Sequence, residues 1–225
     1  MIMNDNKRVN MVHAMPVKEE GEDESMEKLL ELEKTLTKKG YRVACYETRE
    51  QAREALLSEI KDGESVGIGG SVTIREMDLL DALAGKNCPY YWHWLPEADS
   101  ETRKKATEAD VYLCSTNAIT EKGELINIDG FGNRVAGMFY GPGRNIFVVG
   151  KNKIAVDYDA AIKRVKDIAC PKNAVRLKLN TPCALTGKCA DCASEQRFCN
   201  VTTIISYPPG KRDMLIMLVN EDLGY

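Results

Sequence analysis

Four cysteines towards the C-terminal end carry the most specific chemistry in this sequence. They are spaced Cys183-x5-Cys189-x2-Cys192-x6-Cys199 and follow Thr181-Pro182. Four thiolates at this spacing can wrap one centre, because the two-residue gap brings Cys189 and Cys192 onto the same ion. A [4Fe–4S] cluster is expected ahead of tetrahedral Zn, and both take four sulfur ligands. Pro182 and Gly187 suit an irregular, ligand-wrapping loop. The spacing is not that of two-cluster ferredoxins, so the assignment rests on ligand number. Free thiols, or disulfides formed in air, are the plainer alternative. Cys45, Cys88, Cys114 and Cys170 are scattered and read as reduced residues of a buried core.

A second candidate is the run Val66-Gly67-Ile68-Gly69-Gly70-Ser71-Val72-Thr73. It reads as a strand, a glycine turn and a helix start. Gly69 and Gly70 let a backbone approach a ligand, while Ser71 and Thr73 offer hydroxyls to a phosphate or carboxylate. It is neither a Walker loop nor a GxGxxG fingerprint. A tight turn that needs small residues for packing explains it equally well.

Between Ser115 and Lys153 polar side chains recur: Asn117, Thr120, Glu121, Asn127, Asp129, Asn133, Arg134, Asn152 and Lys153. They fall at the ends of apolar strands, where open α/β sheets place their ligand crevice. Arg134 can pair bidentately with a carboxylate or phosphate. Asp129 or Glu121, if desolvated, can act as general base or nucleophile. Taken singly, Asp129-Gly130 and Gly132-Asn133 also fit ordinary hairpin turns. His13 lies in a charged leader, and His93, between Trp92 and Trp94, reads as a partly buried structural residue. No histidine-rich zinc motif and no serine-hydrolase elbow is present.

These residues need a scaffold, and the hydrophobic pattern predicts one. Residues 1–25 read as a charged, solvated leader. Leu29, Leu32 and Leu36 mark a helix ending near Gly40, and Tyr41–Tyr46 a strand. Thr48 and Gln51 form a capping-box pattern that opens a helix through Ile60. Ile74, Met77, Leu80 and Leu83 recur at helical spacing. Pro89–Leu95 reads as a strand or a lining loop, Ser100–Ala109 as a helix and Val111–Ser115 as a buried strand. Leu125–Ile128 and Val135–Tyr140 read as strands around a turn. Ile146–Val149 is an apolar strand, followed by a helix over Tyr158–Ala169 and a short helix after Pro171. Thr202–Ser206 and Met214–Val219 read as late strands able to form an antiparallel edge. Strands alternating with helices in this way predict an α/β fold, with a mostly parallel sheet flanked by helices.

Composition narrows the function classes. The chain has 225 residues, 44% hydrophobic and 29% charged, as expected of a globule with a real core. Its 31 Lys+Arg against 34 Asp+Glu lack the basic footprint of a nucleic-acid or anionic-membrane binder. No apolar run approaches membrane-spanning length, and no secretory segment opens the sequence, so the expectation is a cytoplasmic protein. In that compartment disulfides are disfavoured and clustered cysteines read as metal ligands or redox groups.

Five blocks carry a family resemblance: GIGGSVTIREMDLLDAL, ADVYLCSTNAITEKGELINIDGFGNRVAGMFYGP, VVGKNKIAVDYDAAIKRVKDIACPKNAVRL, TPCALTGKCADC and EDLGY. Together they resemble the LUD domain, the lactate-utilization family related to its B and C components. The resemblance runs over residues 26–225, including the cysteine-rich loop at 181–200. It implies a fold like ribose-5-phosphate isomerase, glucosamine-6-phosphate deaminase and the CoA transferases, in which a loop placed like Gly67–Thr73 holds a phosphate or cofactor group. With the four-cysteine set, it points to a lactate-utilization-type part in oxidising a small hydroxy or keto acid, with an iron–sulfur centre on Cys183, Cys189, Cys192 and Cys199 and redox partner subunits. The ferredoxin-type cysteine pattern of the B component is missing, and YYWHWLPE departs from the family's usual sequence. A stand-alone enzyme acting on a sugar phosphate or CoA ester, or a metabolite and redox sensor without turnover, are the alternatives.

Overall fold

A computed structural model describes residues 20–141 and 143–225. Helix α1 (Glu20–Lys38) buries Leu29, Leu32 and Leu36 along one face. It ends before Gly40, whose φ of +94° suits glycine. After strand β1 (Arg42–Tyr46), helix α2 (Arg49–Glu59) opens on the expected capping box: Thr48 Oγ1 accepts from the Gln51 amide, and the Gln51 side chain accepts from the Thr48 amide. Strand β2 (Val66–Ile68) leads to helices α3 (Val72–Glu76) and α4 (Leu80–Gly85). Strand β3 (Tyr90–Trp92), helix α5 (Ser100–Glu108) and strand β4 (Val111–Cys114) follow. Strands β5 (Ala118–Thr120) and β6 (Leu125–Asp129) precede helix α6 (Asn133–Phe139). Strand β7 (Arg144–Gly150), a 3-10 turn (Lys151–Lys153) and strand β8 (Ile154–Ala155) come next. Helix α7 (Tyr158–Arg164) runs through a π-helical turn (Val165–Ala169) into helix α8 (Cys170–Arg176). Helix α9 (Pro182–Thr186) and strands β9 (Val201–Ile205) and β10 (Asp213–Val219) complete the chain.

Six strands form an all-parallel sheet in the order β1-β10-β7-β4-β2-β3. Its central strands are apolar runs buried on both faces, the signature of a helix-covered parallel sheet. Alternation along each strand divides the core. Ile146, Val148, Leu215 and Met217 pack with Leu56, Ile74 and Leu83 on one face. Phe147, Val149, Ile216 and Leu218 pack with Leu29, Leu32 and Leu36 on the other. A smaller sheet, β8-β5-β6-β9, has antiparallel pairs around β6 and packs Ala118 and Ile126 against Ala161, Val165 and Ala169. The α/β class with a mostly parallel sheet flanked by helices is as expected.

Four details differ from the sequence reading. Residues 135–139 are helical, not a strand: Gly132, with φ of +85°, turns the chain into α6, which ends at Phe139, and Val135 and Met138 bury one helical face. The late strands do not pair with each other. The half-exposed β9 borders β6, whereas the buried β10 is a central parallel strand. The pattern from Ile74 to Leu83 is two short helices broken at Asp78, whose φ is +47°. Helix α1 starts at Glu20, inside the segment read as a leader; the rest of that segment, with His13, lies outside the described residues.

Candidate anion site

A cavity of about 360 Å³ opens between the two sheets. Four neighbouring parallel strands deliver side chains to it from their C-terminal ends. Gly70, Ser71 and Thr73 follow β2, His93 and Trp94 follow β3, Ser115 and Thr116 follow β4, and Lys153 follows β7. The end of β6 adds Ile128–Phe131, and helices α6 and α8 add Arg134, Cys170, Asn173 and Arg176. This is where open parallel sheets place ligands.

Close packing fixes the glycine loop. A Cβ on Gly67 would lie 1.9 Å from the Ala106 carbonyl oxygen, and one on Gly69 would lie 2.9 Å from the Tyr112 hydroxyl. The loop is thus a tight turn, and it also borders the cavity. Ser71 Oγ caps α3 by accepting from the Ile74 amide at 3.2 Å.

Two buried cations organise the floor. Lys153 is 3% exposed and donates to Thr73 Oγ1 at 2.6 Å and Ser115 Oγ at 2.8 Å. Burial, then the positive charges of Arg164 and Arg134, lower its pKa to about 7. Arg134 sits in the first turn of α6. Its Nη atoms donate to Asn127 Oδ1 (2.9 Å), Asn117 Oδ1 (3.0 Å), the Ile128 carbonyl (2.9 Å) and the Ser115 carbonyl (3.4 Å). Those four bonds engage all four Nη hydrogens, so Arg134 braces the strand ends and contributes charge rather than a bidentate fork. Asn127 is wholly buried in this brace, and its Nδ2 has no hydrogen-bond partner among the described residues.

Aromatic rings hold further cations at the wall. Arg176 stacks over Trp94 at 4.2 Å, and Arg103 lies over Phe131 at 5.6 Å. His93 is half-buried, and burial together with Arg103 lowers its pKa against the pull of Asp129. Among the described side chains of the lining, Arg103, Arg134, Lys153 and Arg176 stand against one side-chain carboxylate, Asp129. Such a surface concentrates anions.

Of the residues singled out in the sequence, Gly70, Ser71, Thr73, Asn117, Asp129, Asn133, Arg134 and Lys153 line the cavity. Gly69 packs just behind it. Thr120, Glu121, Asn127 and Asn152 are not among its lining residues. Thr120 closes the β5–β6 turn with Glu124, and Glu121 is exposed on that turn. Asn152 Oδ1 accepts from the Leu223 amide. Asp129 accepts from the Gly130 and Val135 amides, and so joins the cavity to the start of α6. Ser115, Thr116, Arg103, Asn173 and Arg176 were not singled out in the sequence. The first two continue a strand already read as buried, whereas the others lie on polar helix faces with no local signal.

Cys183, Cys189, Cys192 and Cys199 are half-buried and free, in a loop stapled by Arg197, which donates to the Cys192 and Cys199 carbonyls. Thr181 Oγ1 lies 3.3 Å from Cys183 Sγ. Among the described residues no three His, Cys, Asp or Glu side chains are gathered so as to hold a metal ion. The loop nevertheless adjoins the cavity through Phe198 and Cys170. Burial pushes the Cys170 thiol up to about 12, with Cys199, Cys189 and Cys183 adding to the shift. Of the cysteines read as core residues, Cys88, Cys114 and Cys170 are buried and Cys45 is half-buried.

No helix among the described residues is long and apolar enough to cross a membrane. No curated protein matches this chain. A crystal structure of a DUF162 family protein from Deinococcus radiodurans superposes with a TM-score of 0.53 at 14% identity, covering 87% of this chain and 98% of that one. That likeness concerns the fold. The family model described as the LUD domain matches residues 29–219, which include both sheets and all of the cavity lining except Tyr225, and the chain belongs to the LUD domain family.

Proposed function

We propose that this LUD protein takes a small organic anion, a hydroxy or keto acid such as lactate, into the cavity between its sheets and contributes to that acid's oxidation. The observation that carries the reading is a lining whose described side chains include Arg103, Arg134, Arg176 and the amine of Lys153 against one side-chain carboxylate. The lactate-utilization association of the LUD family supports the choice of acid. A volume of about 360 Å³ lies at the small end of ligand pockets and suits a compact acid or sugar phosphate better than a whole CoA ester. Calorimetry with lactate, pyruvate, a phosphosugar and a CoA ester tests it. The expected result is saturable binding of the two acids, weakened by about tenfold in Arg176→Ala, the loss of one close charge interaction. Tighter binding of the phosphosugar or CoA ester would favour a stand-alone isomerase- or transferase-type enzyme instead.

A second reading concerns the cysteine loop. The common neighbourhood of Cys170 with Cys183, Cys189 and Cys199, beside the cavity, supports a redox centre there. As placed, the thiols do not converge into a ligand set, and no chemical step is assigned to such a centre. A [4Fe–4S] cluster or Zn on Cys183, Cys189, Cys192 and Cys199, serving redox partner subunits, requires the loop to close. Anaerobic purification followed by iron, sulfide and zinc analysis decides it. A metal-free, colourless protein with four titratable thiols would leave the loop as a thiol-based redox sensor at most.

A further inference from the structure

The amine of Lys153 is the one buried cation of the cavity whose bonding leaves a reactive position open. Thr73 Oγ1 donates its own proton to the Leu223 carbonyl, and Ser115 Oγ donates its proton to the Thr116 carbonyl, each at 3.3 Å. Both hydroxyls therefore present lone pairs to Nζ, which donates two N–H bonds to them. A tetrahedral nitrogen has one vertex left. On the ammonium it holds the third hydrogen; on the amine it holds the lone pair. Among the described residues no carboxylate forms an ion pair with Nζ; Glu76 acts on it without direct contact, so the contact position is left to a ligand.

We propose that Lys153 is a catalytic amine that forms an imine with the carbonyl carbon of a small 2-oxo acid. The inference rests on the anion-site reading above and names the chemistry of that site. The Nζ lone pair adds to the carbonyl carbon, forming the C–N bond, while the carbonyl π pair moves to oxygen. Nitrogen loses a proton, oxygen gains two in all, and water leaves. Amine, ketone and one proton thus become a protonated imine and water, with no change of oxidation state. In a 2-oxo acid the carboxylate is bonded directly to the reacting carbon. It brings negative charge directly to Nζ, on which Glu76 acts without forming an ion pair, whereas a ketose phosphate holds its anion several bonds away.

The electrostatic surroundings suit the step. Burial, with Arg164 and Arg134 nearby and Glu76 and Cys114 pulling the other way, brings the Nζ pKa down to about 7, so the free amine is well populated near neutrality. Arg134 cannot compete for the carbonyl, since its Nη hydrogens are engaged.

The test is reductive trapping of the wild-type protein with pyruvate and cyanoborohydride, followed by peptide mapping. Dihydroxyacetone phosphate forms a parallel arm, and pyruvate binding is measured separately by calorimetry. The expected result is a reduced pyruvate adduct on Lys153, rising with pH near 7 and falling by roughly tenfold or more in Lys153→Met. Should Lys153→Met not fold, the mapped position on wild type decides alone. Pyruvate binding without a Lys153 adduct overturns the imine and leaves the anion site standing. Neither binding nor adduct overturns both readings. An adduct with dihydroxyacetone phosphate and none with pyruvate overturns the 2-oxo acid assignment.

Discussion

Burying Lys153 carries a cost, and that cost has a measurable pH dependence. Its pKa falls from 10.5 to about 7 on folding. Between those values the unfolded chain binds a proton that the native chain does not, so this group makes stability rise with pH by about 1.4 kcal/mol per unit. Below about pH 7 both states are charged and the penalty is constant. Cys45 and Cys170, raised to about 12, act in the opposite sense above about 9, because the native state then retains protons that the unfolded thiols lose. The useful window is therefore pH 7 to 9. Over it, denaturant melts should show wild type gaining roughly 2 kcal/mol relative to Lys153→Met. Parallel curves would mean the amine is not desolvated. At this scale the sequence marks Lys153 as a polar residue beside a strand end, but its burial depends on Thr73 and Ser115, each distant in the chain. Glu121 shows the opposite failure. Its type suits acid–base work, yet it occupies an exposed turn, because a β5–β6 connection needs polar residues for reasons unrelated to chemistry.

Elements reach the cavity only because certain turns exclude side chains. The last turns of α5 approach β2 so closely that a Cβ on Gly67 would overlap the Ala106 carbonyl at 1.9 Å, and relief requires moving backbone. Gly67→Ala should lower stability by about 3 kcal/mol in denaturant melts, the cost of overpacking a rigid site. By comparison, Thr48→Ala removes one exposed helix cap far from the cavity and should cost only about 1 kcal/mol. Equal costs for the two would show that β2 and α5 can separate freely. The capping box, β2 with its glycine turn, and β7 were legible because each rests on neighbouring residues. Helix α6 was not. Val135–Tyr140 is short and apolar enough to pass for a strand, and the deciding feature is the left-handed turn at Gly132. The apolar run of β10 signalled burial, but nothing local distinguishes an edge strand from a central one, since that depends on β1 and β7 on either side.

The whole molecule is close to neutral, with a formal charge of −3, yet the cavity is cationic. Composition alone hid this separation, which arises because β2, β3, β4 and β7 end side by side while α6 and α8 bring arginines from elsewhere in the chain. The wall depends on Trp94, whose ring supports Arg176 at 4.2 Å and Arg75 at 5.7 Å and stacks on Trp92. Charge and ring support should therefore affect anion binding in two distinguishable ways. Arg176→Ala removes charge, so it should weaken pyruvate binding and also flatten the salt dependence of that binding, because fewer screened interactions remain. Trp94→Ala keeps every charge and removes only the support, so it should weaken binding by a smaller factor while leaving the salt dependence close to wild type. Binding isotherms over a salt series compare the two directly. If both variants flatten the salt dependence alike, Arg176 loses its place without the ring, and charge and support are one interaction. If neither changes pyruvate affinity, the cationic wall does not face the ligand, and attraction must come from the floor at Lys153 alone.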